Sequence, residues 1–326
     1  MGFVIGIDGG GTKTKAALCD LNGNLLAIYK IGSSNLQNIG KENVKQVLSS
    51  VISGVITKAG VDIKDLSAIC LGESGLDTND DYEIYRDLIC DIIPKGIPCE
   101  LVNDAIIALH SSTKGKSGLV VVAGTGAVVA GENAQGERFR VGGWGYLVGD
   151  EGSAFDIGRH GIMEALKFED GRGKAYEVNK AICEFFQIDS MQSLLPQIYG
   201  SVAAQTLIAG VAKTMDKLAE QGDKTALSIL DQAANQLVLA SKAGWEISGL
   251  EEDSPIILSG SVFLSRYIRK KVLEGIKHDV KKVTIMDQKL DSVAGAIILA
   301  FKKSGIIITD EIYNNLQSWS RIERGV

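Results

Sequence analysis

Cysteine, histidine and proline are scarce in this chain of 326 residues, and each shortage excludes a class of protein. The five cysteines (Cys19, Cys70, Cys90, Cys99 and Cys183) are odd in number and scattered. They form no C-x-x-C pair, which predicts free thiols in a reducing cytoplasm rather than a disulfide framework. The 3 histidines lack the spacing of zinc ligands. With only 4 prolines and no biased tract, long disordered linkers are not expected.

Long apolar runs are also missing, so the sequence predicts no membrane helix. Met1–Val4 leads into an apolar strand without a charged region before it, which predicts no signal peptide. A net charge of −6 and a pI near 5.3 disfavour non-specific binding to nucleic acid or to an anionic membrane. Any phosphate ligand must therefore be attracted locally, by backbone N–H groups, helix N-termini and a metal ion. The length allows two domains, at roughly 150 residues each.

What the chain does have is a glycine-rich turn between two apolar strands, within residues 5–18. The first strand ends in Asp8, and Gly9–Gly11 follow it. Glycines let the backbone turn tightly and bring its N–H groups close to a ligand. Thr12 and Thr14 add hydroxyl groups. The spacing is neither a Walker loop nor G-x-G-x-x-G, so we interpret the segment as a phosphate-binding turn, with a simple hairpin as the alternative.

A second turn, Gly124-Thr125-Gly126, also lies between two apolar stretches. Thr125 precedes Gly136 by the same eleven positions by which Thr12 precedes Gly23. Two strand–turn–strand units with matching offsets predict a duplicated domain. Two facing turns would hold a polyphosphate from both sides, whereas the alternative is two unrelated hairpins.

Apolar periodicity predicts an α/β chain. The predicted elements before the second turn are helix 44–59, strand 66–71, helix 82–92, strand 99–102 and helix 105–110. After residue 152 the chain is mainly helical to about 246, followed by strand 255–258, helix 262–277, strand 282–286, helix 292–302 and helix 310–321. The polar stretch Ser111–Gly118 is the predicted linker. We therefore expect an N-terminal domain of residues 1–113, with 306–326 as a candidate addition, and a C-terminal domain of residues 114–305.

Asp104 follows a predicted strand and precedes the helix at 105–110. A helix N-terminus favours an ionised carboxylate, which suits a base that accepts a proton from a hydroxyl group. A helix N-cap is the alternative role. The position of Asp104 just before the predicted linker favours the role of base.

The segment Gly142–Ser153 holds five glycines around Trp144. This composition indicates a loop whose backbone approaches a small polar ligand, with Asp150 accepting hydrogen bonds from hydroxyl groups. A glycine-rich surface loop with a half-buried tryptophan is the alternative. Ser153 and Asp156 are predicted to cap the next helix.

Ser259–Ser261 follows a buried strand and precedes a helix. In a doubly wound sheet this is the end of the strand that faces the ligand. An ordinary strand-to-helix turn explains the segment equally well.

Taken in order, these motifs make the chain resemble the N-acetylglucosamine kinase family, within the superfamily of sugar kinases, actin and heat-shock chaperone ATPases. The resemblance covers about residues 5–300 and is carried by Asp8–Thr14, Gly124–Gly126 and Gly142–Ser153. It implies an α/β fold of two ribonuclease-H-like, actin-like ATPase domains with an active-site cleft between them. It also implies an ATP-dependent kinase that phosphorylates a hydroxyl group of an amino sugar, the 6-hydroxyl.

The resemblance also implies roles for individual residues. Asp104 is the base for the sugar hydroxyl, and Asp8 organises Mg²⁺ through water. The residues implied in ATP binding are Gly10, Gly11, Thr12, Lys13, Gly124, Thr125, Gly126, Ala209, Gly260 and Ser261. Those implied in sugar binding are Asn35, Asp104, Gly143, Trp144, Gly145 and Asp150. For Asn35 and Ala209, a turn or packing role is an equal alternative.

The chain departs from the family pattern at Ala127-Val128, where N-acetylglucosamine kinases tend to carry polar side chains. The substrate therefore stays open among N-acetylglucosamine, N-acetylmuramic acid and glucosamine. A homodimer is expected by resemblance only.

Two functions of other classes are the alternatives to the kinase. An ATP-driven electron activator of 2-hydroxyacyl-CoA dehydratases shares the fold but needs cysteines to hold an iron–sulfur cluster, and no cysteine lies near Gly124–Gly126. A sugar-responsive regulator usually carries an added DNA-binding module, and the chain begins directly with the first strand. The presence of Asp8 and Asp104 also favours an enzyme.

Overall fold

The computed structural model describes residues 2–201, 203–280 and 282–321. The strands in these ranges are β1 (Phe3–Gly9), β2 (Thr14–Asp20), β3 (Leu25–Ile31), β4 (Leu66–Glu73), β5 (Cys99–Asn103), β6 (Gly118–Ala123), β7 (Ala127–Glu132), β8 (Arg138–Gly142), β9 (Pro255–Ser259) and β10 (Thr284–Asp287). The helices are α1 (Leu36–Ile39), α2 (Lys41–Ala59), α3 (Asn79–Ile92), α4 (Asp104–Thr113), α5 (Ala154–Glu169), α6 (Tyr176–Phe186), α7 (Leu194–Tyr199), α8 (Ala204–Gly210), α9 (Ala212–Glu220), α10 (Lys224–Ser248), α11 (Arg266–Asp279), α12 (Ser292–Lys303) and α13 (Asp310–Ser320). Within the described ranges, none of these helices has both the length and the apolar character needed to cross a membrane.

The described chain divides into two compact units. Unit 1 contains the chain up to Gly118 and from Asp287 onward, and unit 2 is Leu119–Met286. Each unit has a five-stranded sheet among its described residues, in the order β3-β2-β1-β4-β5 in unit 1 and β8-β7-β6-β9-β10 in unit 2. β1 pairs antiparallel with β2 and parallel with β4, while β6 pairs parallel with β9. The repeated strand order confirms the predicted α/β fold.

The turns after β2 and β7 show the repeat in atomic detail. The amide of Gly23 donates to the carbonyl of Asp20 at 3.1 Å, and the amide of Gly136 donates to the carbonyl of Asn133 at 3.0 Å. Both glycines have a positive φ, 83° and 82°. The equal spacing in the sequence therefore corresponds to two turns of the same hydrogen-bonding pattern.

The units differ from the expected domain boundaries at α12, which we expected in the C-terminal domain. α12 packs instead on β1 and α4 of unit 1. The close approach requires glycine at Gly295, because a Cβ there would overlap the carbonyl of Ile107. The sequence pattern showed an apolar helix but not which sheet it covers.

The linker expected at Ser111–Gly118 is shorter in the structure. Ser111–Thr113 form the last residues of α4 and are buried, so only residues 114–117 connect α4 to β6. At the other end, α13 lies in unit 1, where the Asn315 amide donates to the carbonyl of Asn22 at 2.8 Å. The expected addition 306–326 extends beyond the described residues, which end at 321.

The helices of unit 1 follow from apolar spacing and capping. α2 buries a stripe of side chains, Val44, Leu48, Val51, Ile52 and Val55, at the spacing of one helix face. α3 begins with a capping box, in which Thr78 accepts from the amide of Asp81 and the Asp81 carboxylate accepts from the amide of Thr78.

Candidate active site

The first glycine-rich turn joins β1 to β2 in unit 1. The amide of Gly10 donates to the carbonyl of Lys13 at 2.9 Å and closes the turn. The Asn38 amide group donates to the carbonyl of Gly11 at 3.1 Å. Thr12 and Lys13 are exposed. These hydrogen bonds hold the turn in place, and the turn exposes the two side chains that the resemblance assigns to ATP.

Asp8, the last residue but one of β1, lies among charged side chains. Its pKa is raised from 3.8 to about 7, chiefly because its carboxyl group is withdrawn from water and secondly by the negative charges of Asp104 and Asp291. Lys15 and Lys13 act in the opposite direction. Two acids and two bases of unit 1 therefore influence the Asp8 carboxyl group.

Lys15 is the direct cross-strand partner of Asp8 in the β1–β2 register. Its ammonium group nevertheless pairs with Asp291, with 2.6 Å between Nζ and Oδ2. Asp291 also caps α12, where its carboxylate accepts from the amide of Val293. Sequence reasoning missed both residues. The hairpin register would have revealed Lys15, but no local pattern connects it to an acid 276 positions away.

The resemblance implies Mg²⁺ at Asp8. Mg²⁺ prefers oxygen ligands and commonly binds through one or two carboxylates, waters and substrate phosphates. Asp8 supplies such an oxygen, and the neighbouring Asp104 and Asp291 add negative charge that a cation would balance. No three side chains of His, Cys, Asp or Glu within the described ranges could together hold a metal ion. The residues therefore fit a magnesium ion held mainly by water and phosphate, and do not fit a cage made by protein alone.

Asp104 is the first residue of α4, directly after β5. The N-cap is its neighbour Asn103, whose side chain accepts from the amide of Ala105 at 2.9 Å. The pKa of Asp104 is raised to about 6, chiefly by burial and secondly by the charge of Asp77, while the first amides of the helix act in the opposite direction. The cap role that competed with the base role in the sequence therefore belongs to Asn103.

Glu73 is an acid that sequence reasoning did not single out. It ends β4, is 0% exposed, and accepts a hydrogen bond from Ser34 Oγ at 2.6 Å. Its pKa is raised to about 8, above all by burial, although the Ser34 bond lowers it. The available signal was an acid directly after Gly72, at the end of an apolar strand, but the sequence did not show that its side chain is buried.

Asn35 carries the turn role that the sequence left open. Its carbonyl oxygen accepts from the amide of Asn38 at 3.0 Å and caps α1. Its amide nitrogen donates to the carbonyl of Ser74 at 3.0 Å. Both ends of the side chain are therefore engaged with protein, and its contact with a sugar stays a prediction.

The second turn, Gly124-Thr125-Gly126, joins β6 to β7 in unit 2. The amide of Gly124 donates to the carbonyl of Gly126 at 2.9 Å, and Thr125 is exposed. The amide of Ala154, at the start of α5, donates to the carbonyl of Gly124 at 2.8 Å. The turn is thus held by the first residues of a helix.

Asp150 lies against this second turn. It is buried, and a Cβ placed on Gly126 would lie 2.6 Å from Asp150 Oδ2. Its φ of 61° is unusual for a residue other than glycine. The structure thus brings together two residues that the sequence assigned to different ligands, Gly126 to ATP and Asp150 to the sugar.

The glycine-rich loop between β8 and α5 has an exposed tryptophan rather than a half-buried one. Trp144 is 65% exposed, and the Arg140 guanidinium lies 4.3 Å from the centre of its ring. Gly143 and Gly145 flank it with positive φ angles of 69° and 87°. The loop therefore offers an aromatic face and a cation on the surface of unit 2.

The predicted cap of α5 is present with one difference. Ser153 accepts from the amide of Asp156 at 3.1 Å, as expected. The Asp156 carboxylate accepts at 3.0 Å from the amide of Gly152 rather than from Ser153 itself.

Gly260 lies beside the second turn because β6 and β9 are parallel neighbours. A Cβ on Gly260 would overlap the carbonyl of Ala123 and lie 3.0 Å from the Gly124 nitrogen. Ser261 is exposed and opens a short 3₁₀ helix, Ser261–Leu264. Ala209, assigned to the same ligand, lies on α8, where it packs against the core of unit 2.

One known protein family and several known proteins are similar to this chain over most of its length. The BadF/BadG/BcrA/BcrD ATPase family matches residues 5–300. An N-acetylmuramic acid/N-acetylglucosamine kinase of Clostridium acetobutylicum is 35% identical over 303 residues, which cover 92% of this chain and 98% of that relative. An N-acetyl-D-glucosamine kinase of Dictyostelium discoideum is 32% identical over 312 residues, which cover 91% and 97%.

Solved structures share the fold at lower identity. A Chromobacterium violaceum protein, proposed by its investigators to be an N-acetylglucosamine kinase, matches with a TM-score of 0.74 and 24% identity over 92% of this chain and 99% of that one. A ROK family glucokinase of Streptomyces griseus, solved with glucose and AMPPNP, matches with a TM-score of 0.53 and 17% identity over 92% and 98%.

Proposed function

Because the chain belongs to the BadF/BadG/BcrA/BcrD ATPase family, we propose that it is an ATP-dependent kinase that phosphorylates a hydroxyl group of an amino sugar. The relatives at 32–35% identity are named as kinases of N-acetylglucosamine, one of them also of N-acetylmuramic acid. The observation that carries the proposal is Asp104: its carboxyl group opens a helix, is not needed as the N-cap, and influences Asp8 at the end of β1.

Asp104 is the proposed base. It accepts the proton of the sugar hydroxyl, which the resemblance places at carbon 6. That oxygen forms a bond to the γ-phosphorus while the bond from the γ-phosphorus to the β-phosphate oxygen breaks. The helix N-terminus keeps the carboxylate ionised near neutral pH, and the loss of water around it strengthens its interaction with the proton.

The two glycine-rich turns are proposed to position the phosphates of ATP. In unit 1 the exposed Thr12 and Lys13 offer a hydroxyl group and a positive charge. In unit 2 Thr125 offers a hydroxyl group on a turn held by α5. Phosphoryl transfer depends mainly on positioning and on charge neutralisation, which these groups supply. Gly260 and Ser261, beside the second turn, are proposed to lie near the nucleoside, together with Ala209.

Asp8 is proposed to hold Mg²⁺ through water. The ion would neutralise charge on the phosphates. The carboxylates near Asp8 favour a cation, and the ammonium group of Lys15 forms an ion pair with Asp291.

The proposed sugar-binding residues, taken from the resemblance, are Asn35, Gly143, Trp144, Gly145 and Asp150. Trp144 offers an exposed ring of the kind that packs on sugars, and the Asp150 carboxylate accepts hydrogen bonds from hydroxyl groups. N-acetylglucosamine and N-acetylmuramic acid are the proposed substrates. Glucosamine is the alternative, since a glucosamine kinase of Vibrio cholerae is 25% identical over 311 residues.

A coupled assay of ADP release tests the proposal. The purified protein is given ATP and Mg²⁺ with N-acetylglucosamine, N-acetylmuramic acid, glucosamine or glucose, and each product is identified by mass spectrometry and NMR. We expect turnover with at least one N-acetylated sugar and its loss when EDTA removes the metal. Absence of sugar phosphate with all four sugars would refute the kinase, and a brown, iron-containing protein after anaerobic purification would favour the electron activator instead.

The rate should depend on pH through Asp104. A base must be ionised to accept a proton, and the pKa of Asp104 is raised to about 6 by burial and by Asp77. We therefore expect kcat/KM for the sugar to fall about tenfold per pH unit below about pH 6 and to be level above it. Measurements from pH 5 to pH 8 at saturating ATP check this. A profile level down to pH 5 would contradict the assignment.

The finer properties of the protein are also proposals. A cytoplasmic location is supported by free cysteines, since Cys19, Cys70, Cys90, Cys99 and Cys183 form no disulfide in the structure. A homodimer is supported by exposed apolar side chains on unit 2, which include Leu147, Val148, Leu239 and Ile247. Light scattering during size-exclusion chromatography measures the mass and would reject the dimer if it found about 35 kDa.

A further inference from the structure

Glu73 has no role in the mechanism proposed above, yet it is one of the most unfavourably placed acids in unit 1. It is 0% exposed, and its Oε1 has no hydrogen-bond partner within the described ranges. Burying a carboxyl group without full hydrogen bonding destabilises a protein, and an apolar side chain of similar volume would pack there at lower cost. A residue that breaks a packing rule in this way usually serves function.

The contacts of Glu73 connect two parts of the site. Its Oε2 accepts from Ser34 Oγ at 2.6 Å. Its carboxyl group also lies against Gly9, where an added Cβ would overlap it. Ser34 precedes Asn35, the residue assigned to the sugar, and Gly9 precedes the turn assigned to ATP.

The next residue, Ser74, makes a parallel pair of contacts. Its amide donates to the carbonyl of Gly9 at 2.7 Å. Its carbonyl accepts from the Asn35 amide group at 3.0 Å. Glu73 and Ser74 thus hold two successive residues of the Ser33–Asn35 loop against the end of β1. On the other side, the Tyr85 hydroxyl donates to the carbonyl of Ser34 at 2.7 Å.

We propose that Glu73 is a positioning residue, which fixes the Ser33–Asn35 loop against the first phosphate turn by its bond to Ser34 and thereby orients Asn35 for the sugar. Its effect on the sugar rests on the proposed kinase function. Its effect on the loop is independent of that function. The alternative is that Glu73 contributes only to folding.

Two substitutions at Glu73 separate these roles. Glu73→Gln keeps an oxygen that accepts from Ser34, whereas Glu73→Leu removes the acceptor and keeps an apolar side chain of similar size. With Glu73→Leu we expect the KM for the sugar to rise about tenfold or more, the scale of a lost buried hydrogen bond, with the KM for ATP within about twofold. With Glu73→Gln both constants should stay within about threefold of the wild type.

A matched control is Val55→Ala, which removes apolar volume from the core of unit 1 on α2, away from this loop. It should lower the melting temperature and leave both KM values unchanged.

If Glu73→Leu leaves the KM for the sugar unchanged, or raises both KM values equally while Glu73→Gln does the same, the proposal is wrong. Ser34→Ala removes the same bond from the other side and replaces Glu73→Leu if that variant does not fold.

Hydrogen exchange tests the loop without any turnover. In Glu73→Leu the amides of residues 32–40 should exchange at least about tenfold faster than in the wild type, and in Val55→Ala they should not. Unchanged exchange in Glu73→Leu would overturn the proposal. If the wild type phosphorylates no sugar, the proposed kinase function fails, whereas the exchange result still decides whether Glu73 fixes the loop.

Discussion

Replacement of Asp104 by Asn is expected to lower kcat by about 10²–10⁴-fold, the usual contribution of a general base. The amide keeps the size of the side chain and its ability to accept hydrogen bonds, but it cannot take a proton from the sugar hydroxyl. Asn103 still caps α4 in this variant, so the helix should be retained. Steady-state assays with the preferred sugar measure kcat, and calorimetry measures the Kd for ATP, which should stay within about threefold.

Asp310→Asn is the matched control for this variant. Asp310 is also an acid in the first turn of a helix in unit 1, where it pairs with Lys114 at an exposed site. This change should leave kcat unaltered. Near-normal turnover in Asp104→Asn would remove Asp104 as the base, and an equal loss in both variants would show that the effect comes from a helix end rather than from proton transfer.

Replacement of Gly260 by Ala is expected to raise the KM for ATP by about tenfold or more, because the substitution strains the turn in two ways. The φ of Gly260 is 104°, a conformation that side chains rarely adopt. The added Cβ would also overlap the carbonyl of Ala123, just before the second phosphate turn. The backbone must move to relieve the overlap, and the Gly124–Gly126 turn would move with it.

The control is Gly222→Ala, also in unit 2. Gly222 has a φ of 85°, but no atom lies within 4 Å of an added Cβ. Backbone strain alone should lower its melting temperature slightly without changing the KM for ATP. If both variants bind ATP equally well, as judged by the KM and by nucleotide titration, the proximity of Gly260 to the second turn has no functional importance.

Local chemistry explains what could be predicted about the site. The turns at Gly9–Lys13 and Gly124–Gly126 were recognisable because runs of glycine with threonine are rare outside tight turns. Asp104 was recognisable because it lies where a strand ends and a helix begins. The sequence could not divide the cap and base roles between Asn103 and Asp104, since both residues are good caps. The extended backbone of Asn103, with φ −66° and ψ 148°, and its side-chain bond from the amide of Ala105 decide that division.

Contacts between distant segments account for what was missed. Lys15 and Asp291 pair across 276 positions, and no local pattern carries that information. Glu73 was invisible as a functional candidate because its significance lies in full burial. Asn35 was proposed for the sugar, and the structure adds bonds to Ser74 and Asn38 that the sequence did not indicate.

The sequence by itself determined the repeated α/β architecture. The period of apolar side chains and the positions of glycine are local properties, and they favour the same strands, helices and turns whatever each segment packs against. Only the tertiary structure decided that α12 completes unit 1 and which acids surround Asp8. Those outcomes depend on which surfaces can approach closely, as where the missing side chain of Gly295 admits the backbone of Ile107. Burial and electrostatic interactions depend on these contacts between distant segments, and no single segment of the sequence determines them.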